Sequence, residues 1–280
     1  MFPTLFELFG FEINTYAAIT VAGYSLGVVI GIYLGLKDGR DLRDMIDGGI
    51  VVVISAVFGA KLFHFLFESR GHVLSNGRIV EGIWDVFQED PWHWLRITDP
   101  GFVFYGGVIV ATLMGFVFAV RRGVDDPTSA GDYAAPGFAL GILFGRLGCL
   151  AAGCCYGAGT DLAIGIHFPA DHPTGGALVH PVQIYDAAFG LIAFFGCLYL
   201  YPRRRFGGDL LARVLIFYAF WRFCTEFFRA DADRGIWLLG LSTSQIVSLL
   251  LFPAGIAIWI FMNRTLKGRY PEKYSPEATA

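Results

Sequence analysis

Seven apolar stretches of spanning length run along the chain, at residues 15–36, 46–67, 101–120, 133–153, 181–201, 209–228 and 242–262. A helix needs about 20 mostly apolar residues to cross the hydrocarbon core of a bilayer, so each stretch predicts a transmembrane helix. The polar connections are short except for residues 68–100, which carry Trp84, Trp92 and Trp94. Tryptophan collects at membrane interfaces, which makes this segment an expected external insertion. Residues 1–14 (MFPTLFELFGFEIN) are apolar, aromatic and acidic, and predict an arm lying in the interface. The polar residues 263–280 predict a cytoplasmic tail. No repeat or linker divides the chain, so 1–280 is expected to form a single integral membrane domain of all-α class.

Composition strengthens this picture. Hydrophobic residues make up 55% and charged residues 16% of the 280, with a mean hydropathy of +0.56. Soluble domains carry about 25% charged residues. A formal net charge of -3 excludes a basic nucleic-acid-binding surface. The five cysteines are an odd number and make no disulfide framework. No Lys or Arg precedes Lys37, so the charged head of a cleavable signal peptide is missing.

Basic residues set the expected orientation. Lys37, Arg40, Arg43, Arg121, Arg122, Arg203, Arg204, Arg205, Arg264, Lys267, Arg269 and Lys273 fall on one side of a seven-span arrangement. Arg70, Arg78, Arg96, Arg229 and Arg234 fall on the other, and residues 154–180 contain none. Lys and Arg accumulate on the cytoplasmic side. The N-terminus is therefore expected outside and the C-terminus in the cytoplasm.

Four basic residues remain within or at the edge of spans: Lys61, Arg146, Arg213 and Arg222. An intramembrane charge costs about 2.5–3.5 kcal/mol on insertion scales, so it usually faces a partner or a polar cavity. Arg213 lies near a span end and can snorkel. Lys61 either snorkels or pairs with an acid. Arg222 belongs to a row in which Tyr218, Arg222, Glu226 and Arg229 share one helix face. That row can serve as an internal bridge that fixes helix packing. It can equally bind an anion, since the planar fork of arginine suits a phosphate and a lipid headgroup lies at that depth.

Arg146 heads a run of small residues, Gly145-Arg-Leu-Gly148-Cys149-Leu-Ala-Ala-Gly-Cys154-Cys155-Tyr-Gly157. Small residues permit close approach between helices or to a ligand. Phe104-Tyr105-Gly106-Gly107 opens the third span, and His180-Pro181-Val-Gln183-Ile-Tyr185-Asp186 opens the fifth. Polar groups of four spans are thus expected at one depth. The three close cysteines have three readings: soft packing residues, a disulfide on an oxidising side, or a reactive thiol activated by Arg146. Histidines lie at no metal-ligand spacing, so no metal is expected; His167 and His172 read as solvated loop residues. Cys197 and Cys224 read as packing.

Together these runs resemble the prolipoprotein diacylglyceryl transferase family. The matching pieces are Asp132-x-x-Ala135-Pro136, Gly145-Arg146-x-Gly148, His180-Pro181-x-Gln183-x-Tyr185, Tyr218-x-x-x-Arg222-Phe223-x-x-Glu226-Phe227-Phe228-Arg229 and Leu241-Ser242-x-x-Gln245-x-x-Ser248. They occur in the family's order over about residues 10–262. The resemblance implies a multi-pass enzyme of the bacterial inner membrane. That enzyme moves the diacylglyceryl group of phosphatidylglycerol onto the lipobox cysteine of a prolipoprotein signal peptide, without cofactor or metal. It implies that Arg146 and Arg222 neutralise the phosphate and that Tyr218 hydrogen-bonds in the site. Glu226 and Arg229 would hold the helix face and gate the outer side, and Tyr16 would line the cavity. Gly106, Gly107, Gly148, Cys154, His180 and Gln183 would line the substrate site. Tyr105 stands where the family usually has a histidine, and Cys149 and Cys154 where it has an amide and a carboxylate, leaving Tyr105 or His180 as candidate bases. These departures leave room for a paralogue serving another acceptor, for a thiol–disulfide oxidoreductase using Cys149, Cys154 and Cys155, and last for a transporter.

Overall fold

The structure is a computed structural model that describes residues 4–8, 11–67, 104–229 and 241–266. Strands β1 (Thr4–Leu8) and β2 (Phe11–Asn14) pair as an antiparallel hairpin, so the expected interfacial arm has strand structure. Among the described residues seven α-helices follow. They are α1 (Thr15–Lys37), α2 (Leu42–Phe67), α3 (Phe104–Arg121), α4 (Ala130–Ala152), α5 (Val182–Leu200), α6 (Asp209–Glu226) and α7 (Thr243–Leu266). Two-residue strands β3 (Ile166–His167) and β4 (Leu178–Val179) pair in the connection between α4 and α5. The insertion with Trp84, Trp92 and Trp94, and the tail from Lys267, lie outside the described residues. The expected tail starts too early in one respect: α7 continues through Asn263 to Leu266.

Among the described residues, five segments are long and apolar enough to cross a membrane: Thr15–Lys37, Leu42–Leu66, Pro127–Ala152, Val182–Arg203 and Ser244–Leu266. The other two helices differ for separate reasons. The apolar segment Tyr105–Arg121 is shorter, and α6 carries Asp209, Arg213, Arg222 and Glu226 within 18 residues. Side chains left on helix surfaces are strongly apolar, among them Ile192 (71% exposed) and Leu250 (68%). Such surfaces suit lipid rather than water. The molecule is a helical membrane protein.

The chain packs as two compact units, residues 39–130 and residues 1–38 with 131–280. In the first, α2 and α3 cross on glycines. A Cβ on Gly59 would meet the Gly106 carbonyl at 2.5 Å, and one on Gly107 would meet the Ala56 carbonyl at 2.9 Å. Lys61 is buried in this unit, and Arg122 pairs with Asp44 (3.2 Å) and Asp47.

In the second unit α1 presents Gly23, Gly27 and Gly31 one turn apart, against Phe144, Gly137 and Tyr133 of α4. A Cβ on Gly27 would come within 2.8 Å of the Gly137 Cα, so this crossing depends on small residues. Helix α6 starts at Gly208 in the left-handed region (φ 85°). The fully buried carboxylate of Asp132 caps it, accepting from Gly208 N (3.0 Å) and Leu210 N (2.8 Å). Those amides are orphaned at a helix start, where negative charge is also favoured. Asp209 accepts from Trp259 Nε1 of α7 (2.7 Å) and pairs with Arg213 (2.7 Å). Arg213 is therefore ion-paired within its own helix rather than only snorkelling.

Candidate active site

The site grows from three helices of the second unit. Arg146 on α4 points Nε at Asp186 Oδ2 of α5, 3.0 Å away. Asp186 is almost fully buried, and its other oxygen accepts from Trp221 Nε1 of α6 (2.9 Å). One carboxylate thus ties three helices. It engages only Nε of Arg146, and among the described residues the Nη1–Nη2 edge of the fork is left for an anion. The Trp221 ring stacks on Phe189 (5.4 Å). The buried Tyr218 ring lies between Phe138 and Phe189, at 5.8 Å and 6.0 Å.

The predicted face of α6 is present as a row of charges. Arg222 Nη1 lies 2.5 Å from Glu226 Oε2, which is 4.0 Å from Arg229 Nε. The three side chains are between 2% and 7% exposed, so the row is shielded from solvent. Ser244 of α7 accepts from Arg222 Nη2 (3.2 Å), and Ser242 donates to Glu226 Oε1 (2.8 Å). Among the described residues, Arg146 pairs with Asp186 while Arg222 and Arg229 share Glu226, so three guanidinium groups gather at this end of the unit. Guanidinium groups gathered in this way suit an anionic group.

The connection from α4 to α5 closes over this end. Gly157 N donates to the His180 carbonyl (2.9 Å), and Ala158 N to the Phe228 carbonyl (2.8 Å). A Cβ on Gly157 would lie 2.5 Å from the Phe228 carbonyl, so only glycine fits between the strands of this junction. His180 Nδ1 lies 3.1 Å from the Tyr185 hydroxyl, and its ring packs on Phe228 (5.1 Å). The fully buried Gln183 donates Nε2 to the Cys154 carbonyl (2.7 Å).

Gly148 is a packing surface for α1: an added Cβ would meet Tyr16 Cδ2 at 3.0 Å. Tyr16 is partly exposed, with its phenol in electrostatic range of Cys149 and Cys154. All five cysteines are free, and the Sγ atoms of Cys149, Cys154 and Cys155 lie within 4.8 Å of one another. Hydrogen bonding with Cys149, then with Cys154, holds the Cys155 thiol below its ordinary range, and Arg229 and Arg146 add to the effect. His172 is not merely solvated, since its Nε2 lies 2.7 Å from the Gly153 carbonyl.

Arg146, Tyr218, Arg222, Glu226, Arg229, Gln183, His180, Gly148, Tyr16 and Cys154 all belong to this unit. Tyr105, Gly106 and Gly107 belong to the other, where the two glycines pack on α2. Sequence reasoning placed Asp186 in the polar run that opens this span but gave it no role, and gave none to Trp221; together they fix Arg146. The available signal was an acid inside an apolar helix, as telling as a buried arginine.

A helical membrane protein with a buried, positively charged row at one end of a helix bundle is the class that fold and site define. A family model described as prolipoprotein diacylglyceryl transferase matches residues 3–261. The chain belongs to that family. It is 31% identical to a phosphatidylglycerol–prolipoprotein diacylglyceryl transferase 2 of Clostridium perfringens, over 94% of this chain and 95% of the relative. It is 29% identical to the phosphatidylglycerol–prolipoprotein diacylglyceryl transferase of Clostridium tetani, covering 92% and 97%. The namesake of Campylobacter curvus is also 29% identical, covering 94% of each chain.

Proposed function

We propose that this chain transfers the diacylglyceryl group of phosphatidylglycerol to the cysteine thiol of a prolipoprotein signal peptide, in the bacterial inner membrane. Family membership supports the activity, and the gathering of Arg146 and Arg222 in an otherwise apolar helix bundle is the observation in this chain that carries it. The acceptor sulfur attacks the glyceryl carbon bonded to the phosphate ester oxygen. The C–S bond forms as the C–O bond breaks, and glycerol phosphate leaves with the electron pair. Negative charge grows on the departing oxygen, where oriented guanidinium groups in a water-poor site act most strongly. Arg146 supplies its free edge to the phosphate and Arg222 neutralises it from α6. Tyr218 orients the headgroup, while Glu226 and Arg229 hold the α6 face in register.

The same reading gives seven membrane crossings, with the N-terminus outside and the C-terminus in the cytoplasm. The skew of basic residues supports it, together with the pairing of each charge in α6 with a partner. Within the unit that holds the arginines, His180 is the candidate for receiving the thiol proton.

The test is mass spectrometry of a lipobox peptide incubated with phosphatidylglycerol and the purified protein, beside Arg146→Ala. A diacylglyceryl mass gain that vanishes in the variant is expected. No gain, with a known transferase active under the same conditions, would overturn the reading.

A further inference from the structure

The end of α4 brings three thiols together by backbone geometry. Cys154 N donates to the Cys149 carbonyl (3.0 Å) and Gly153 N to the Leu150 carbonyl (3.2 Å), with Gly153 in the left-handed region at φ 77°. These bonds make a Schellman cap, in which the side chains at the positions of Cys149 and Cys154 meet. The next residue, Cys155, is itself left-handed at φ 61°, the only such non-glycine among the described residues. A β-carbon in that region costs about 1–2 kcal/mol, which simple packing has no need to incur. The turn is braced from two sides: Gln183 holds the Cys154 carbonyl and His172 the Gly153 carbonyl, both at 2.7 Å. Cys149 is buried, Cys155 partly buried and Cys154 exposed, so the cluster has a closed floor and an open side.

We propose that Cys149, Cys154 and Cys155 form a three-thiolate site for a thiophilic cation such as zinc, with a fourth position open at Cys154 to an external thiol. The Zn–S bond is about 2.3 Å, so sulfurs in a tetrahedral site stand about 3.8 Å apart. The three sulfurs already lie within 4.8 Å of one another, at most about 1 Å beyond that spacing. Soft sulfur donors select zinc or copper(I) over magnesium and calcium. The site requires no assumption about which reaction the chain catalyses.

The test is zinc titration of the reduced, chelator-stripped full chain in detergent, with metal content read by elemental analysis. Wild type is expected to retain a single zinc ion per chain in competition with a chromophoric chelator. Cys154→Ser alone, at an exposed position, should weaken retention at least tenfold, and the triple serine variant should abolish it. Cys197→Ser and Cys224→Ser should bind as wild type does. No zinc bound by reduced wild type, or equal binding by the triple serine variant, would overturn the site. Cobalt(II) gives the second readout: a small water-soluble thiol should change its thiolate absorption bands. An unchanged spectrum would refute the open position.

Discussion

Replacing Asp186 isolates what holds Arg146 in place. The carboxylate pairs with Arg146 at 3.0 Å and accepts from Trp221 at 2.9 Å, and the residue is 2% exposed. Asp186→Ala strips the counter-charge from Arg146 and the acceptor from Trp221. Breaking a buried ion pair costs about 3–5 kcal/mol, because the surviving charge is stranded. The Arg146 side chain is 20% exposed, so solvent recovers part of this and about 3 kcal/mol is the better figure. Asp186→Asn keeps an acceptor for Trp221 and loses only the charge, at about 1.5–3 kcal/mol. If the loss falls on the placement of Arg146, transfer slows about a hundredfold in the alanine variant and roughly tenfold or more in the asparagine variant. Initial rates with a lipobox peptide and phosphatidylglycerol micelles give the first number, and thermal unfolding in the same detergent gives the second. Wild-type rates in Asp186→Ala would refute the positioning role, and an unchanged unfolding temperature would refute the buried pair.

Other expectations follow from the same geometry. Arg222→Ala should abolish transfer, whereas Arg222→Lys should leave a small fraction, since an ammonium cannot reach Glu226 and Ser244 together; rates of the two variants decide this. Gly157→Ala should lower the unfolding temperature markedly, because its Cβ would collide with the Phe228 carbonyl at 2.5 Å. Cys197→Ala should transfer at the wild-type rate and lose about 1 kcal/mol in a melting experiment, since its sulfur only fills space.

The helices were legible because lipid demands about 20 apolar residues in each span, a signal that needs no tertiary information. The row Tyr218, Arg222 and Glu226 was legible for a related reason: helical spacing alone puts these residues on one face, whereas Arg229 lies past the end of α6 and reaches Glu226 from the segment bridged to Gly157. Asp186 was not, because its partners sit on two other helices and no local spacing joins it to Arg146 or Trp221. Gly106, Gly107 and Gly148 were ambiguous in sequence between ligand contact and helix contact. In the structure each faces a neighbouring helix, with Phe63, Ala56 and Tyr16 in the way of any side chain. The convergence of Cys149, Cys154 and Cys155 depended on two successive backbone reversals, at Gly153 and Cys155. Sequence offers the glycine but not the left-handed cysteine.

The cap at the start of α6 acts at a distance. Asp132 holds the backbone at Gly208 and Leu210, and Asp209 holds Trp259 of α7. The other end of α6 is fastened to α7 through Ser242 and Ser244. A helix clamped at both ends can neither turn about its axis nor slide along it independently. A rotation of one residue, about 100°, would carry Arg222 out of the charged row. From Leu210 to Arg222 the rise is about 18 Å, so a carboxylate that never meets substrate sets the angular phase of the arginine. Any motion that opens this end of the bundle must therefore move α6 and α7 as a single lever, with Asp132 near its fulcrum.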